Sequence, residues 1–228
     1  MKTSSDHHRD RVFPLHLRDP QDLKTLEDLK NPPPDPSAFK TIAHWHTPQR
    51  QFQIRRAHLA DLPILTEILS EAFHSPQVRQ NWFYPVLHWG MQTDLRQRLT
   101  QNARYQLSLV VEAEGILHGT VELGTRPLIP WQPLAPETPR SSPHYLYLSN
   151  LAVRSSSRRQ GIATQLMQIC ETLTQAWGFT GLYLHVLKSN HIACHLYDRA
   201  GYQIIQDEAL WEAWFLGRPP CLFLHKAL

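Results

Sequence analysis

Apolar residues recur at two spacings along the 228-residue chain, every second residue or every third and fourth, and the changes between them mark out its elements. Phe52 and Ile54 alternate with polar neighbours and predict a strand. Leu62, Leu65, Leu69 and Phe73 fall on one helical face, with Asp61 as a candidate cap and Pro63 suited to the first turn. A second helix is expected around residues 92–102. QLSLVVEA (106–113) and ILHGTVELG (116–124), parted by Glu114 and Gly115, predict a β-hairpin, and HYLYLSNLAV (144–153) predicts a further strand. Ile162, Leu166, Ile169, Leu173 and Trp177 return at helical spacing, with Gly178 to end that helix. GLYLHVL (181–187) is almost continuously apolar, as a parallel strand covered on both faces should be. A short helix from Asn190 closes at Gly201, and CLFLHKAL (221–228) gives a final strand.

The second half therefore reads strand, loop, helix, strand, helix, strand, which contains a βαβ unit. Residues 1–50 are rich in charge, histidine and proline, and NPPPDP at 31–36 suits neither helix nor strand. They are expected to form a flexible extension with a short helix at 21–30, ahead of a domain spanning 51–228. Loops are expected at 74–92, 125–143 and 207–220, the last carrying the aromatic run WEAWF (211–215) as core or pocket wall.

Composition narrows the picture. A hydrophobic fraction of 42% can fill a core, and a net charge of +3 is too mild to point to nucleic acid. Cys170, Cys194 and Cys221 lie far apart and outside CxxC spacing, which predicts free thiols in a reducing compartment. There is no apolar run of about 18 residues, and no signal-type hydrophobic segment in the opening stretch, so a cytoplasmic protein with no membrane partner is expected. His191 and His195 stand four apart, but HIACH lacks the glutamate of a zincin motif, and no metal site is expected. His44, Trp45 and His46 are assigned to packing.

The chemistry concentrates in SSSRRQGIA (155–163), between a strand and a helix. A helix start presents unpaired N–H groups and the positive end of its dipole, a ready site for a phosphate-type anion. Gly161 allows the backbone close to such a group, Ala163 nearly so, and Arg158 and Arg159 add guanidinium forks. GxxxxGK[ST] and GxGxxG are both absent, so the pattern is neither a Walker A loop nor a dinucleotide fingerprint.

RRQGIA (158–163), following YLSNLAV (147–153), matches the R/Q-x-x-G-x-G/A motif of the GCN5-related N-acetyltransferases, the GNAT superfamily. SNHIACHLYDRAGY (189–202) is similar to its N-x-x-A-x-x-L-Y-x-x-x-G-[FY] segment, and IRRAHLADL (54–62) resembles its first strand and helix. Over 51–228 the chain resembles this superfamily, and its wording is similar to the plastid and cyanobacterial branch. The resemblance implies an α/β (strictly α+β) fold, a mixed twisted sheet of about six or seven strands flanked by about four helices, with two splayed parallel strands at its centre. It implies acetyl-CoA as cofactor. Leu151, Ala152 and Val153 would bond the pantetheine arm like a neighbouring strand, and Arg158, Arg159, Gln160, Gly161, Ile162 and Ala163 would cradle the diphosphate.

The same resemblance implies that Asn190 lies near the pantetheine while capping its helix, and that Tyr197 meets the sulfur as general acid. Tyrosine suits that role because its pKa of about 10 lies above the thiol value of about 8.5. His185 occupies a strand position where some members carry glutamate and is the candidate base, with Glu122 and Ser149 as rivals and Asn150 as a residue that could orient a water but cannot itself be a base. A backbone N–H near Leu151 or Ala152 would bind the oxyanion. The implied activity is N-acetyl transfer to a primary amine, a protein lysine or N-terminal α-amine, by direct attack in a ternary complex. Alternatives are a small arylalkylamine or polyamine acceptor, or an acyl-CoA-binding module without turnover. A nucleic-acid partner through Arg154, Arg158 and Arg159 lacks the interleaved aromatics that mode requires.

Overall fold

In the computed structural model the alternating segments among the described residues become one eight-stranded mixed sheet, ordered β1-β2-β3-β4-β5-β6-β8-β7. The described residues are 42–47, 50–73, 84–101, 103, 105–128, 133–135, 143–208 and 219–228. The strands are β1 (Ala43–His46), β2 (Gln51–Arg56), β3 (Gln106–Ala113), β4 (Ile116–Pro127), β5 (His144–Val153), β6 (Gly181–Leu187), β7 (Gln203–Asp207) and β8 (Cys221–Ala227). The helices are α1 (Leu62–Phe73), α2 (Tyr84–Thr100), α3 (Ile162–Ala176) and α4 (His191–Arg199). Every ladder is antiparallel except β5–β6, where α3 makes the crossover a parallel pair requires.

Period-two alternation divides the side chains between two faces. Ile54, Leu109, Val121, Leu146 and Leu182 pack on one face with Ile162, Leu166, Ile169 and Leu173 of α3. Tyr197 of α4 belongs to that cluster. Val110 and Leu117 on the other face meet Leu65, Ile68 and Leu69 of α1 and Leu95 of α2. Further along that face, Tyr145, Tyr183 and Phe223 form an aromatic cluster with Ala135. The helical stripe anticipated for α1 holds at Leu65 and Leu69, whereas Phe73 at its end is 53% exposed.

Several expectations need correction. Ala43–His46 already belongs to the sheet, so the boundary expected at residue 50 cuts a hairpin: Trp45 pairs with Phe52. Their rings stack at 5.0 Å, and both are fully buried. The alternation in AHWH is too short to stand out beside a Pro-rich segment. Together with β7, β1 takes the strand count above the expected six or seven. α2 starts at Tyr84, inside the expected 74–92 loop, because proline is tolerated in a first turn and Pro85 sits there. The helix at 21–30 and WEAWF lie outside the described residues.

Asp61 does not cap α1. It ends a 3-10 turn, and its carboxylate accepts the His58 N–H at 2.7 Å and binds Arg55 at 2.7 and 2.9 Å. Arg55 reaches Glu112 of β3 as well, at 2.6 Å, tying the turn to the sheet. Burial alone would raise the Asp61 pKa, but the bonds from Arg55 and His58 hold it below the ordinary carboxylate value. A depressed pKa contributes stability above the unfolded value of about 3.9 and loses it as pH falls through the folded one. Asp61→Asn is therefore expected to lower unfolding free energy by about 1–2 kcal/mol at pH 7 in urea titrations, with the gap closing below about pH 4.

Candidate active site

The centre of the sheet is split. β5 and β6 pair only at Leu146↔Leu182 and Tyr147↔Tyr183, although the strands run on to Val153 and Leu187. A bulge turns β5 at this point: Ser149 faces Glu122 and Ala152 faces Thr120, leaving Asn150 and Leu151 against the single residue Val121. Asn150 takes φ 52°, in the left-handed region that asparagine tolerates better than most residues. Beyond the bulge, Leu151, Ala152 and Val153 have no ladder partner on the β6 side among the described residues. An extended ligand could pair with backbone there as a further strand.

At the open end of the split lies the basic loop. After a 3-10 turn (Ser155–Ser157), Arg159 takes φ 65° and Gly161 φ 78°, and α3 begins at Ile162. Gly161 occupies the N-cap position without a side-chain cap, and the helical ladder starts with Gln165 N–H donating to Gly161 C=O at 3.0 Å. The N–H groups of Ile162, Ala163 and Thr164 therefore precede the ladder. A Cβ at Gly161 would meet nothing within 4 Å, so the space beside this residue is open. Arg158 and Arg159 are exposed beside it, and Arg158 Nε reaches Val153 C=O at 3.4 Å. Converging amides, a helix dipole and two guanidinium groups fit a diphosphate; the strand edge leading away fits an amide-bearing arm.

Sequence spacing missed how this loop is anchored. Ser157, 1% exposed, places its hydroxyl 2.7 Å from His118 Nδ1 on β4. Burial pulls the His118 pKa down, which favours the neutral ring. Arg154 N–H donates to His118 C=O at 2.9 Å, and its guanidinium meets Glu67 of α1 at 3.2 Å. Glu71, also on α1, accepts the Ser155 N–H at 3.3 Å. A Cβ on Gly119 would lie 3.0 Å from both Ala152 C=O and Ile162 Cγ2, so a bare residue lets β4 pass under the start of α3. Buried His, Ser and Gly at these places carry no periodic signal.

Tyr197, His185 and a third residue, Tyr147, gather near the vertex of the split. Tyr197 is 6% exposed; burial first, and Tyr147 next, push its phenol above the usual tyrosine range, so it stays protonated. Asn190 caps α4, its side-chain oxygen accepting the Ala193 N–H at 3.2 Å. His185 stacks on Phe223 at 4.4 Å, with Nδ1 2.9 Å from the Tyr147 hydroxyl. Burial pushes the Tyr147 phenol up to about 12. Of the rivals to His185, Glu122 is 7% exposed and paired with Arg98 at 2.9 Å, and Ser149 stands across the ladder from Glu122; Asn150, weighed only as a residue to orient water, forms part of the bulge. His191 and His195 are exposed on α4, and the described residues hold no group of three or more His, Cys, Asp or Glu placed for a metal ion.

The model of the acetyltransferase (GNAT) family matches residues 63–202, more than half of the chain. The chain belongs to the GNAT family. Among curated relatives, GCN5-related N-acetyltransferase 10, chloroplastic, of Arabidopsis thaliana is 37% identical over 82 residues, 36% of this chain and 32% of the relative. GCN5-related N-acetyltransferase 7, chloroplastic, of the same plant is 35% identical over 82 residues, 36% of this chain and 30% of the relative. The matches thus span about a third of these GNAT proteins' own length. Among solved structures, PaiA N-acetyltransferase from Thermoplasma acidophilum, in complex with coenzyme A, superposes with TM-score 0.57 at 17% identity, covering 78% of this chain and 99% of that one. The ribosomal-protein-S18-alanine N-acetyltransferase from Escherichia coli gives 0.52 at 18% identity, covering 77% and 93%. These neighbours establish the GNAT fold.

The relatives overturn the expectation of a cytoplasmic protein, since the named GNAT matches are chloroplastic. Cys170, Cys194 and Cys221 are free, and free thiols do not single out one compartment. Among the described residues no helix is long and apolar enough to cross a membrane.

Proposed function

We propose that this GNAT chain transfers the acetyl group of acetyl-CoA to a primary amine within a ternary complex. One observation carries the reading: β5 and β6 part after two ladder pairs, and the uncapped start of α3 lies at the mouth of the gap. Arg158, Arg159, Gln160, Gly161, Ile162 and Ala163 hold the diphosphate, mainly through backbone N–H groups, and Leu151, Ala152 and Val153 bond the pantetheine arm, with Asn190 beside it. Acetyl-CoA supplies an activated acyl group, a thioester. Tyr197, kept neutral by burial, donates a proton to the departing sulfur, and an N–H near Leu151 or Ala152 steadies the carbonyl oxygen. His185 is the proton acceptor on the amine side; Glu122 is committed to Arg98.

The acceptor we favour is a protein lysine or N-terminal α-amine. A small arylalkylamine or polyamine is the alternative acceptor. In a thermal-shift assay acetyl-CoA at about 100 times its Kd should stabilise the chain by about 2.7 kcal/mol. Thiol release with lysine peptides, peptide N-termini, arylalkylamines and polyamines then reads the acceptor. Stabilisation without thiol release from any acceptor would identify a binding module; no stabilisation would refute the site.

A further inference from the structure

The Tyr147 side chain bridges the gap that opens where the β5–β6 ladder ends. Its hydroxyl oxygen accepts the His185 backbone N–H at 3.2 Å and also lies 2.9 Å from His185 Nδ1. A backbone N–H can only donate, so the phenol oxygen is the acceptor in the first contact. In the arrangement that gives each of these protons an acceptor, Tyr147 O–H donates to Nδ1 and the ring proton sits on Nε2. The Nδ1 lone pair is then covered, and a proton arrives there by way of the Tyr147 oxygen.

We propose that Tyr147 is a further catalytic residue, the relay through which the acceptor's ammonium group hands its proton to His185. The inference rests on the acetyl-transfer reading above. One N–H bond of the ammonium breaks as its proton bonds the Tyr147 oxygen, and the Tyr147 O–H breaks as that proton bonds Nδ1. A neutral amine, an intact phenol and an imidazolium result, with nothing oxidised or reduced. His185 is exposed and passes the proton on to water. When the amine nitrogen later sheds its second proton, that proton replaces the one Tyr197 has given to sulfur, so the sum is one proton released per transfer.

Concerted handover suits the setting, because Tyr147 never has to exist as a phenolate in a site where burial opposes one. The groups facing the Tyr147–His185 pair are Arg126 of β4, whose guanidinium lies 5.3 Å from the Tyr147 ring centre, Tyr145 on β5, Tyr183 on β6, Cys221 on β8 and Tyr197 on α4. Arg126 is the charged member of that set at neutral pH, and its charge favours release of the proton from His185 to solvent.

Tyr147→Phe and His185→Gln, singly and together, test the relay, with acetyl-CoA affinity measured by calorimetry on each variant. Each single change is expected to lower kcat about 100-fold with acetyl-CoA Kd within about twofold, and the double variant to be no slower than the slower single. The wild-type kcat/KM profile should rise with pH as His185 loses its proton, and Tyr147→Phe should lack that limb. Independently of turnover, imidazole nitrogen NMR on the free protein should find Nδ1 unprotonated and hydrogen-bonded, with the Nδ1 resonance moving in Tyr147→Phe. Multiplying losses in the double variant, an unchanged pH profile, a proton on Nδ1, or an affinity loss matching the rate loss would each overturn the relay; the last would make the phenol a prop for the split. Absence of thiol release by the wild type would sink the parent reading and the relay with it, whereas failure of the relay alone appears only in the variants and the spectrum.

Discussion

Gly161→Asp is expected to weaken acetyl-CoA binding at least about 100-fold, roughly 2.7 kcal/mol, when titrated calorimetrically. Two effects combine. The φ of 78° at Gly161 lies in the region where an L side chain carries a penalty of about 1–2 kcal/mol. The larger effect is electrostatic: a carboxylate enters open space at the residue just before the first amides of α3, where the proposed site holds the diphosphate. Gly161→Ala separates the two, since it keeps the backbone penalty without the charge and meets no atom within 4 Å. It should weaken binding only modestly, and raised salt should narrow the gap between the two variants. Equal losses in both would assign the effect to backbone geometry.

Tyr197→Phe should reduce kcat about 100-fold while acetyl-CoA Kd stays within about twofold. The phenol is buried, and its raised pKa keeps it a proton donor well past the pH at which a free tyrosine ionises. Wild-type activity should therefore show no fall below about pH 10 that traces to this group, because its active form is the protonated one. The ring also packs 5.7 Å from Tyr202, and phenylalanine preserves that contact, so the variant should unfold at nearly the wild-type temperature. A rate loss fully explained by a higher KM for acetyl-CoA would make Tyr197 a wall of the split and not its acid.

Legibility in the sequence follows the physics of each feature. Strands β3, β4, β5, β6 and β8 and helix α3 declare themselves because long runs with one buried face must repeat at the period of their backbone. β1 escapes because four residues in AHWH give too little alternation, and β7 because the short run QIIQD with both ends exposed looks like loop: Ile204 is 56% exposed. The start of α2 hides behind a proline that usually signals a break.

The loop over 158–163 is legible because a bare glycine between arginines and a helical stripe has few structural uses. Its supports are not. His118, Ser157 and Gly119 act through single contacts across the sheet, and such contacts depend on register rather than period. Tyr147 is similar: alternation places it on a face, but only the parting of β5 and β6 after Tyr147↔Tyr183 brings its hydroxyl to His185. The His185 assignment gains a partner that no spacing rule could supply.

Amide hydrogen exchange with and without coenzyme A tests the central claim most directly, because it reports the very N–H groups assigned to the ligand. The account predicts that saturating coenzyme A slows exchange at residues 151–153 and 159–164, with little change along β1, β2 and α2. Protection confined to another part of the sheet, or no protection at any amide, would contradict it.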